Sequence, residues 1–314
     1  VAVCASRSPA VVRRSVSSLI SQTVPPGWSF EEILIILNRP ELVPAEIGDS
    51  LDLGSKRLVT HREPKVGIPY ARNAALKWAR GNRVDWLAFI DDDCVARPNW
   101  LWELAETADR CEVSVAAGSW ELSPGGEPSK YLPSSVWGRY DYWVDGDRAK
   151  QWQRLPTAYS RSVLMKVTGN RALDEGFLQF DESRAELGGS DVLFFSQMAQ
   201  FGEPISYSKN SVVTETYYGD RLELKWHLSQ KVRNTQFIFE REFLPRSAAK
   251  NLFSRTQQFA RGIFLAFWRF GKTFGRSSTD TPISGIGEVL MALAPIIGVM
   301  GSIARIRYKP YLVK

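Results

Sequence analysis

The sequence is poor in histidine and cysteine for its length. Only His61 and His227, and only Cys4, Cys94 and Cys111, occur among 314 residues. A site built from several imidazoles is therefore excluded, and a bound metal ion would depend on carboxylate oxygens. The cysteines form no CxxC pair and cannot all pair with one another, so we expect small apolar core residues in a reducing, cytosolic compartment.

Neither an extreme charge nor a charged leader is present. Forty Lys and Arg against 34 Asp and Glu give a net charge of +6, and 44% of the residues are hydrophobic. This composition excludes wholesale disorder and indicates an anionic partner: a phosphorylated substrate, anionic lipid or nucleic acid. Because the first apolar run opens without a basic segment before it, we expect no signal peptide.

Short apolar runs alternate with helical patterns over the first half of the chain. Residues 1–5, 33–37, 56–60 and 86–90 predict strands, and residues 12–20, 70–80 and 100–110 predict helices. Such alternation indicates an α/β fold with a mostly parallel twisted sheet between helices. Further strands are predicted at 113–117, 163–167, 205–207 and 211–215, a helix at 191–201 that opens on Asp191, a helix C-cap at Gly81 and a long loop region at 123–154.

Beyond residue 222 the chain becomes rich in bases and aromatics, and residues 283–304 carry Glu288 as their only charge. Buried core helices explain the rings but not the interleaved arginines. An interfacial anchor explains both, because long cations snorkel while rings lie at the headgroups. We therefore favour membrane association, and leave open whether 283–304 spans the bilayer or lies in one leaflet.

Three adjacent carboxylates, Asp91, Asp92 and Asp93, follow the strand predicted at 86–90. They would repel one another unless a cation or hydrogen-bond donors were close by. Successive strand residues point to opposite faces, so Asp91 and Asp93 share a face on which Mg²⁺ or Mn²⁺ would neutralise a diphosphate. A solvated turn with an N-cap for the next helix is the alternative.

Five blocks occur in a recognisable order: VAVCASRSP, GIPYARNAAL, AFIDDDCVARPNWL, LGGSDVLFF and VVTETYYGDRLELKWHLSQKVR. Over roughly residues 1–240 this order resembles family 2 glycosyltransferases of the GT-A fold, in particular bacterial exopolysaccharide glucosyltransferases of the succinoglycan type. The resemblance implies a catalytic domain at 1–221, with a nucleotide-sugar half at about 1–120 and an acceptor half at about 121–221. The basic and aromatic region at 222–314 follows it.

The resemblance also implies roles for individual residues. Asp91 and Asp93 match the DxD motif, with Asp93 the expected metal ligand and Asp91 or Asp92 near the ribose. The other residues expected to contact the nucleotide are Ala5, Ser6, Arg7, Asn38, Arg72 and Asn73, and Arg221, Trp226 and Arg233 are secondary candidates in the last block. His227 beside Trp226 is more simply a packed or solvent-facing residue.

Asp191 matches the general base of the family. A base within hydrogen-bond reach of the acceptor hydroxyl removes its proton during attack on the anomeric carbon, and attack opposite the leaving diphosphate inverts that carbon. The alternative role for Asp191 is a helix N-cap after Gly188 and Gly189. Two departures bear on the acceptor: Ser190 replaces the usual Glu, and Arg161 stands in a block that lacks the family's Asn.

Together these implications predict a metal-dependent, inverting enzyme at the cytoplasmic face of the bacterial inner membrane. Its donor would be a UDP-sugar, UDP-glucose first, and its acceptor a lipid-linked glycan. A nucleotidyltransferase acting on sugar phosphates and a catalytically silent membrane scaffold are the alternatives. Nucleic-acid binding is not expected, because no basic stripe with stacking aromatics lies on a recognisable module.

Overall fold

The computed structural model of the chain describes residues 1–49, 51–144, 147–175 and 178–243, together with 290, 291, 293, 294 and 297. The chain divides into two units. The first consists of Val1–Ser123 and Gly138–Thr216. The second consists of Pro124–Trp137 and Tyr217–Lys314.

The first unit opens with alternating strands and helices, as the periodicity predicts. In chain order they are β1 (Ala2–Ala5), α1 (Pro9–Ile20), β2 (Glu32–Leu37), α2 (Pro44–Gly48), β3 (Arg57–Arg62), α3 (Ile68–Gly81) and β4 (Trp86–Asp91). Strand β1 pairs in parallel with β2 and with β4, and β2 pairs in parallel with β3. The aliphatic run of β2 is buried because this strand lies inside the sheet with both faces covered.

Further elements complete the chain: β5 (Cys94–Ala96), α4 (Trp100–Cys111), β6 (Val115–Pro124), β7 (Gly138–Tyr140), β8 (Trp143–Val144), β9 (Asp147–Arg148), β10 (Ser162–Lys166), α5 (Arg171–Asp174), α6 (Ser190–Gln200), β11 (Ile205–Tyr217) and α7 (Leu224–Phe243). The large sheet has the order β3-β2-β1-β4-β10-β6-β11-β5, with β7 paired to β6. Strands β8 and β9 form a separate hairpin.

The sheet is mixed, so the prediction of a mostly parallel sheet is wrong. Strand β10 lies antiparallel between β4 and β6, and β5 pairs antiparallel with β11. Burial on both faces makes β10 read as a continuous apolar run. Such a run identifies a strand but carries no information about the direction of its neighbours.

Helices cover both faces of this sheet, which confirms the layered α/β architecture. One apolar core lies between the sheet and helices α3 and α6, and the other between the sheet and helices α1 and α4. Cys4 and Cys94 are buried in these cores and Cys111 is half-buried, and all three are free thiols. The side chains that follow the strands are therefore positioned by a packed scaffold.

Several local predictions differ from the structure. Gly81 is the last helical residue of α3 and Asn82 is its C-cap. The two strands predicted at 205–207 and 211–215 are one strand, β11, of 13 residues. The predicted loop region at 123–154 contains β7, β8 and β9, and α2, α5 and β5 were not predicted because they are three to five residues long.

Apart from the isolated positions 290, 291, 293, 294 and 297, the predicted membrane-associated stretch 283–304 lies outside the described residues. Within the described part of the chain, no helix is both long enough and apolar enough to cross a bilayer. The proposed division at residues 221 and 222 stays a prediction.

Candidate active site

Several of the predicted site residues gather where β1 and β4 end. Strand β1 pairs in parallel with β4, with Cys4 opposite Asp91. Parallel neighbours end at the same edge of a sheet, so the turn after β4 meets the loop after β1. That loop contains Ser6 and Arg7, and the turn contains Asp92 and Asp93.

Asp92 holds this loop in place. Its Oδ2 accepts hydrogen bonds from the main-chain N–H groups of Ser6, at 2.5 Å, and Arg7, at 2.8 Å, and from the Ser6 hydroxyl at 3.2 Å. Burial, together with the charge of Asp93, raises the pKa of Asp92 to about 7. Asp92 and Asp93 are buried and Asn99 is the N-cap of α4, so the alternative of a solvated capping turn is wrong.

Asp91 and Asp93 each contact an arginine. The Arg72 Nη2 lies 3.5 Å from Asp91 Oδ1, and the Arg7 Nη2 lies 3.2 Å from Asp93 Oδ2. Burial raises the pKa of Asp93, and the charge of Asp91 raises it further. The two carboxylates therefore act on each other electrostatically, as expected for residues on one face of the strand end.

A third carboxylate, Glu215, belongs to this group and was missed by the sequence analysis. Strand β11 pairs with β5 so that Glu215 lies opposite Cys94, the residue after Asp93. Burial raises the pKa of Glu215 to about 8; the nearby Arg161 lowers it, and Asp93 and Asp91 raise it. In the sequence, the alternation of 213, 215 and 217 as inward positions places a glutamate where an apolar residue belongs, which is the signal that was available.

Arg161 links Glu215 to the rest of the group. Its Nη1 lies 2.7 Å from Glu215 Oε2, and its charge also lowers the pKa of Asp93. Arg161 comes directly before β10, whose first residue, Ser162, pairs with Ile90 of β4. We call Asp91, Asp93 and Glu215, with Arg7 and Arg161, the acidic cluster.

Arg72 joins the acidic cluster to helix α6. Its Nη2 contacts Asp91, and its Nη1 donates to the Ser190 hydroxyl at 3.4 Å. The guanidinium also lies over the Phe180 ring, 5.7 Å from its centroid. The side chain is buried, so this cation is held in one place by its partners.

The neighbouring Asn73 is occupied by the protein itself. Its amide donates to the Phe180 carbonyl at 2.9 Å and to Glu182 Oε1 at 3.1 Å, and it accepts from the Phe180 N–H at 2.8 Å. Its contact with a nucleotide stays a prediction. In the structure, the hydrogen bonds of Asn73 connect α3 to the segment that leads to α6.

Asn38 is placed at the end of β2, where the sequence predicts it, and is fully buried. Its side-chain amide donates to the carbonyls of Glu63 and Lys65 and accepts from the Gly67 N–H at 2.8 Å. These bonds fix the loop that leads into α3 and therefore the start of the helix that carries Arg72. Ala5 is buried at the end of β1, and its carbonyl accepts from the Asn38 N–H.

Asp191 lies in the first turn of α6. Gly189, with φ of 75°, is the N-cap of this helix, so the alternative in which Asp191 itself caps the helix is wrong. Asp191 Oδ2 accepts weak hydrogen bonds from Ser160 N–H at 3.3 Å and Ser160 Oγ at 3.4 Å. Ser160 directly precedes Arg161, so one short segment contacts both Asp191 and Glu215.

The secondary candidates lie in the second unit. The Arg221 guanidinium lies over the rings of Tyr217 and Trp226, at 5.0 and 5.5 Å from their centroids. Arg233 lies on α7 and contacts Asn234. His227 is buried and bound to the Arg221 carbonyl, and burial lowers its pKa to about 4, so the simpler interpretation of a packed histidine is confirmed.

A model of the family described as Glycosyl transferase family 2 matches residues 1–169. The chain belongs to glycosyl transferase family 2. It is 27% identical over 174 residues to the succinoglycan biosynthesis protein ExoM of Rhizobium meliloti (strain 1021). That match covers 55% of this chain and 52% of ExoM, so it spans about half the length of the relative.

Two solved structures share the fold of this chain. Residues 1–349 of S. aureus TarS superpose with a TM-score of 0.51 at 16% identity, covering 98% of this chain and 88% of that one. GalNAc-T7 with UDP, GalNAc and Mn²⁺ gives a TM-score of 0.50 at 16% identity, covering 76% of this chain and 49% of that one. The predicted GT-A fold is therefore confirmed.

The donor atoms of this family 2 glycosyltransferase suit a divalent cation. Asp91, Asp93 and Glu215 offer carboxylate oxygens, the hard ligands that Mg²⁺ and Mn²⁺ prefer. Burial, together with the charges of the neighbouring carboxylates, raises the pKa values of Asp93 and Glu215. Among the described residues, no three His, Cys, Asp or Glu side chains converge closely enough to hold an ion by themselves. One or two carboxylates completed by substrate phosphates match this arrangement better than a full protein cage.

Proposed function

We propose that the chain transfers a hexose, with glucose the first candidate, from a UDP-sugar to a hydroxyl of a lipid-linked oligosaccharide. Structures of TarS with UDP-GlcNAc and of GalNAc-T7 with UDP support a uridine nucleotide donor. The name of ExoM, a succinoglycan biosynthesis protein, supports a growing exopolysaccharide as the acceptor. Glycosyl transfer is the reaction of the family, which disfavours the nucleotidyltransferase alternative.

One observation carries this proposal: Arg72 contacts both the acidic cluster and the residue beside the proposed base. The same buried guanidinium reaches Asp91 on one side, at 3.5 Å, and Ser190, the neighbour of Asp191, on the other, at 3.4 Å. The acidic end of β4 and the start of α6 therefore meet around one cation. A guanidinium presents a rigid fork of donors that suits a diphosphate.

In the proposed mechanism Asp191 is the general base. Ser160 orients its carboxylate through two hydrogen bonds to Oδ2. Proton transfer from the acceptor hydroxyl to Asp191 raises the nucleophilicity of that oxygen as it attacks the anomeric carbon. Attack from the face opposite the diphosphate breaks the bond to the leaving oxygen and inverts the configuration.

In the proposed mechanism the chain's own cations, Arg7 and Arg72, stabilise the leaving group. Arg7 and Arg72 lie at the acidic end of β4, within contact of Asp93 and Asp91. A bound Mg²⁺ or Mn²⁺, held by Asp93 and Asp91, would supply the additional positive charge that a leaving UDP needs. Asp92 is expected near the ribose, and its hydrogen bonds fix the Ser6–Arg7 loop.

We further propose that residues 222–314 associate with the cytoplasmic face of the inner membrane. The support is compositional: bases interleaved with Phe and Trp, followed by 22 residues at 283–304 with one charge. A soluble catalytic unit held there would meet a lipid-linked acceptor at high local concentration. Flotation of the full chain with vesicles containing anionic lipid tests this part, and recovery of the protein only in the lipid-free fraction would contradict it.

The reaction is tested by incubating the full chain with a panel of UDP-sugars, with Mn²⁺ or with EDTA, and measuring released UDP. We expect release that depends on Mn²⁺ for at least one donor. Asp93→Ala should abolish release and transfer, and Asp191→Ala should abolish transfer. Asp174→Ala removes a half-exposed carboxylate paired with Arg80 and is the matched control that retains both.

Two outcomes count against the proposal. Absence of turnover with every donor in the presence of Mn²⁺ would favour the silent scaffold. Retained transfer by Asp191→Ala would remove that residue as the base. The anomeric configuration of the product, read by proton NMR, decides between inversion and retention.

A further inference from the structure

A group of aromatic side chains lies beside the candidate base. Trp120 on β6 pairs across the sheet with Tyr140 on β7, and their rings stack at 5.8 Å with planes 10° apart. The Tyr159 ring meets the Trp120 ring edge-on, with centroids 5.2 Å apart. All three residues are half-exposed, unlike the aromatic residues of the core. We call Trp120, Tyr140 and Tyr159 the aromatic platform.

The platform is joined to the acidic cluster by one arginine. The Arg161 guanidinium lies over the Trp120 ring, 5.0 Å from its centroid, while its Nη1 contacts Glu215. Arg161 therefore lies between the rings and the carboxylates. For a ligand bound on the platform, this guanidinium would be a nearby hydrogen-bond donor.

The platform is also joined to the candidate base. Tyr159 directly precedes Ser160, whose N–H and hydroxyl bind Asp191. Beneath the rings the buried Tyr142 accepts a hydrogen bond from the Tyr159 N–H at 2.8 Å. Burial raises the pKa of the Tyr142 hydroxyl, and the charge of Asp191 raises it further.

The platform contains one hydrogen-bond donor, the Trp120 indole N–H, that is available to a ligand. Trp100 and Trp28 donate their indole N–H to Ser162 and Asp109. The indole N–H of Trp120 has no hydrogen-bond partner in the described part of the chain, and the residue is half-exposed. Tryptophan combines a large apolar surface with one donor, a combination that suits a ligand with apolar and hydroxylated faces.

We propose that the aromatic platform is the acceptor subsite and binds a pyranose ring of the acceptor glycan against Trp120 and Tyr140. A pyranose has a face of C–H groups that packs on aromatic rings and a rim of hydroxyls. The Trp120 N–H and Arg161 are the donors for that rim, and Asp191 is the base for the reacting hydroxyl. This inference rests on the proposed function, because it assigns the acceptor side of the same site.

The contacts that hold β7 against β6 support a built subsite. Behind the platform Ser119, Asp141 and Tyr207 form a buried hydrogen-bond network, with Ser119 Oγ 2.7 Å from the Tyr207 hydroxyl. Arg139 pairs with Asp141 at 3.2 Å. These contacts fix β7 against β6 and hold the Trp120 and Tyr140 rings in place, which lowers the entropic cost of binding a ligand.

Binding is tested on the full chain with octyl β-glucoside and octyl β-galactoside as acceptor probes, by saturation-transfer NMR and titration calorimetry. We expect at least one glycoside to bind through its ring protons. Trp120→Ala should weaken that binding about tenfold, the loss expected for roughly 50 Å² of apolar contact. Trp120→Phe keeps an aromatic ring but not the N–H, so its glycoside affinity should fall between those of the unaltered chain and Trp120→Ala.

The matched control is Trp152→Ala. Trp152 is exposed and also carries an arginine over its ring, Arg110 at 4.3 Å. Trp152 is held through its main-chain N–H, which donates to the Tyr207 carbonyl and stays in place when the side chain is shortened. We expect Trp152→Ala to leave glycoside affinity unchanged.

Donor hydrolysis without acceptor separates this inference from the proposed function. In Trp120→Ala we expect the acceptor KM to rise by a larger factor than any change in donor hydrolysis or UDP affinity, whereas Trp152→Ala should leave all three within about twofold of the unaltered chain. Glycoside binding that is unchanged in Trp120→Ala, or absent from the unaltered chain while the donor is hydrolysed, overturns the subsite and leaves the proposed function standing. Glycoside binding that depends on Trp120 in a chain unable to hydrolyse any UDP-sugar overturns the proposed function and leaves the subsite standing.

Discussion

Replacing Arg161 by methionine should destabilise the protein in a strongly pH-dependent way. At 2.7 Å from Glu215 Oε2, the guanidinium attracts a full charge with about 6 kcal/mol at an effective dielectric constant of about 20. The Glu215 side chain is 6% exposed and that of Arg161 26%, so solvent screens this pair only in part. Removing one partner of such a pair leaves the other charge buried, unless it takes up a proton.

The pH window follows from Glu215. Burial raises its pKa from the ordinary 4.5 to about 8, so between these values the folded chain binds more protons than the unfolded chain, and stability falls as the pH rises. Arg161 lowers this pKa, so Arg161→Met raises it further. Below pH 8 both folded forms carry the proton, and the variant loses mainly its contact with the Trp120 ring, about 1 kcal/mol. Near pH 9.5 the loss should reach about 3 kcal/mol, because each pH unit above 8 adds about 1.4 kcal/mol.

Urea unfolding at pH 6.5 and pH 9.5 measures this difference, with EDTA present to exclude metal binding. In the Glu215→Gln background the same arginine substitution should cost about 1 kcal/mol at both pH values, because no carboxylate remains to titrate. Arg110→Met is the matched control, since Arg110 also lies over a tryptophan ring but pairs with Glu106, whose side chain is 45% exposed. An equal loss at both pH values, or a pH dependence that persists with glutamine at 215, would refute the reasoning.

Other substitutions probe the scaffold of the site. Asn73→Ala breaks the three hydrogen bonds to Phe180 and Glu182 and should lower the free energy of unfolding by about 2 kcal/mol, measured by urea denaturation. If Asn73 only contacted the nucleotide, the substitution would change UDP affinity and leave the stability unaltered. Gly118→Ala should destabilise by about 3 kcal/mol or prevent folding, because the added Cβ would lie 2.1 Å from Ser162 Oγ and 2.7 Å from the Ser211 carbonyl; normal thermal stability in this variant would contradict the packing described. His227→Gln should reduce the stability lost between pH 8 and pH 5 by about 1 to 2 kcal/mol, because the folded ring, with its pKa lowered to about 4, stays neutral at pH 5 while the unfolded ring takes up a proton. Calorimetry of both proteins at the two pH values checks this, and an identical pH dependence in the two would contradict it.

Much of the catalytic edge was predictable because it depends on local order along the chain. Strand β4 is a short apolar run whose end at Asp91 is visible in the sequence, and parallel pairing with β1 brings Ser6 to the same edge. The start of α6 was predicted within one residue, because helical periodicity begins directly after Gly188 and Gly189. Each of these inferences uses contacts between neighbours in sequence or the rules of parallel strands.

The missed features depend on pairing between distant segments. Glu215 joins the acidic cluster only because β11 runs antiparallel to β5, a three-residue strand that no periodicity reveals. The aromatic platform needs β6 and β7, which are separated by residues 125–137, to pair so that Trp120 lies opposite Tyr140. An antiparallel partner is chosen by packing over the whole sheet, so a single strand's pattern cannot name it.

The insertion of β10 connects the predictable end of β4 with the features that the sequence pattern missed. A purely parallel continuation after β4 would require another crossover helix, and the residue before the new strand would then lie at the opposite edge of the sheet from Asp91. Because β10 runs antiparallel, it begins beside the end of β4, with Ser162 opposite Ile90. The segment before it therefore carries Ser160 and Arg161 to the catalytic edge, where they contact Asp191 and Glu215. The reversal of one strand thus supplies the acceptor half of the proposed site with its polar contacts, and it explains why the direction of the sheet, which the sequence pattern leaves undetermined, decides the chemistry.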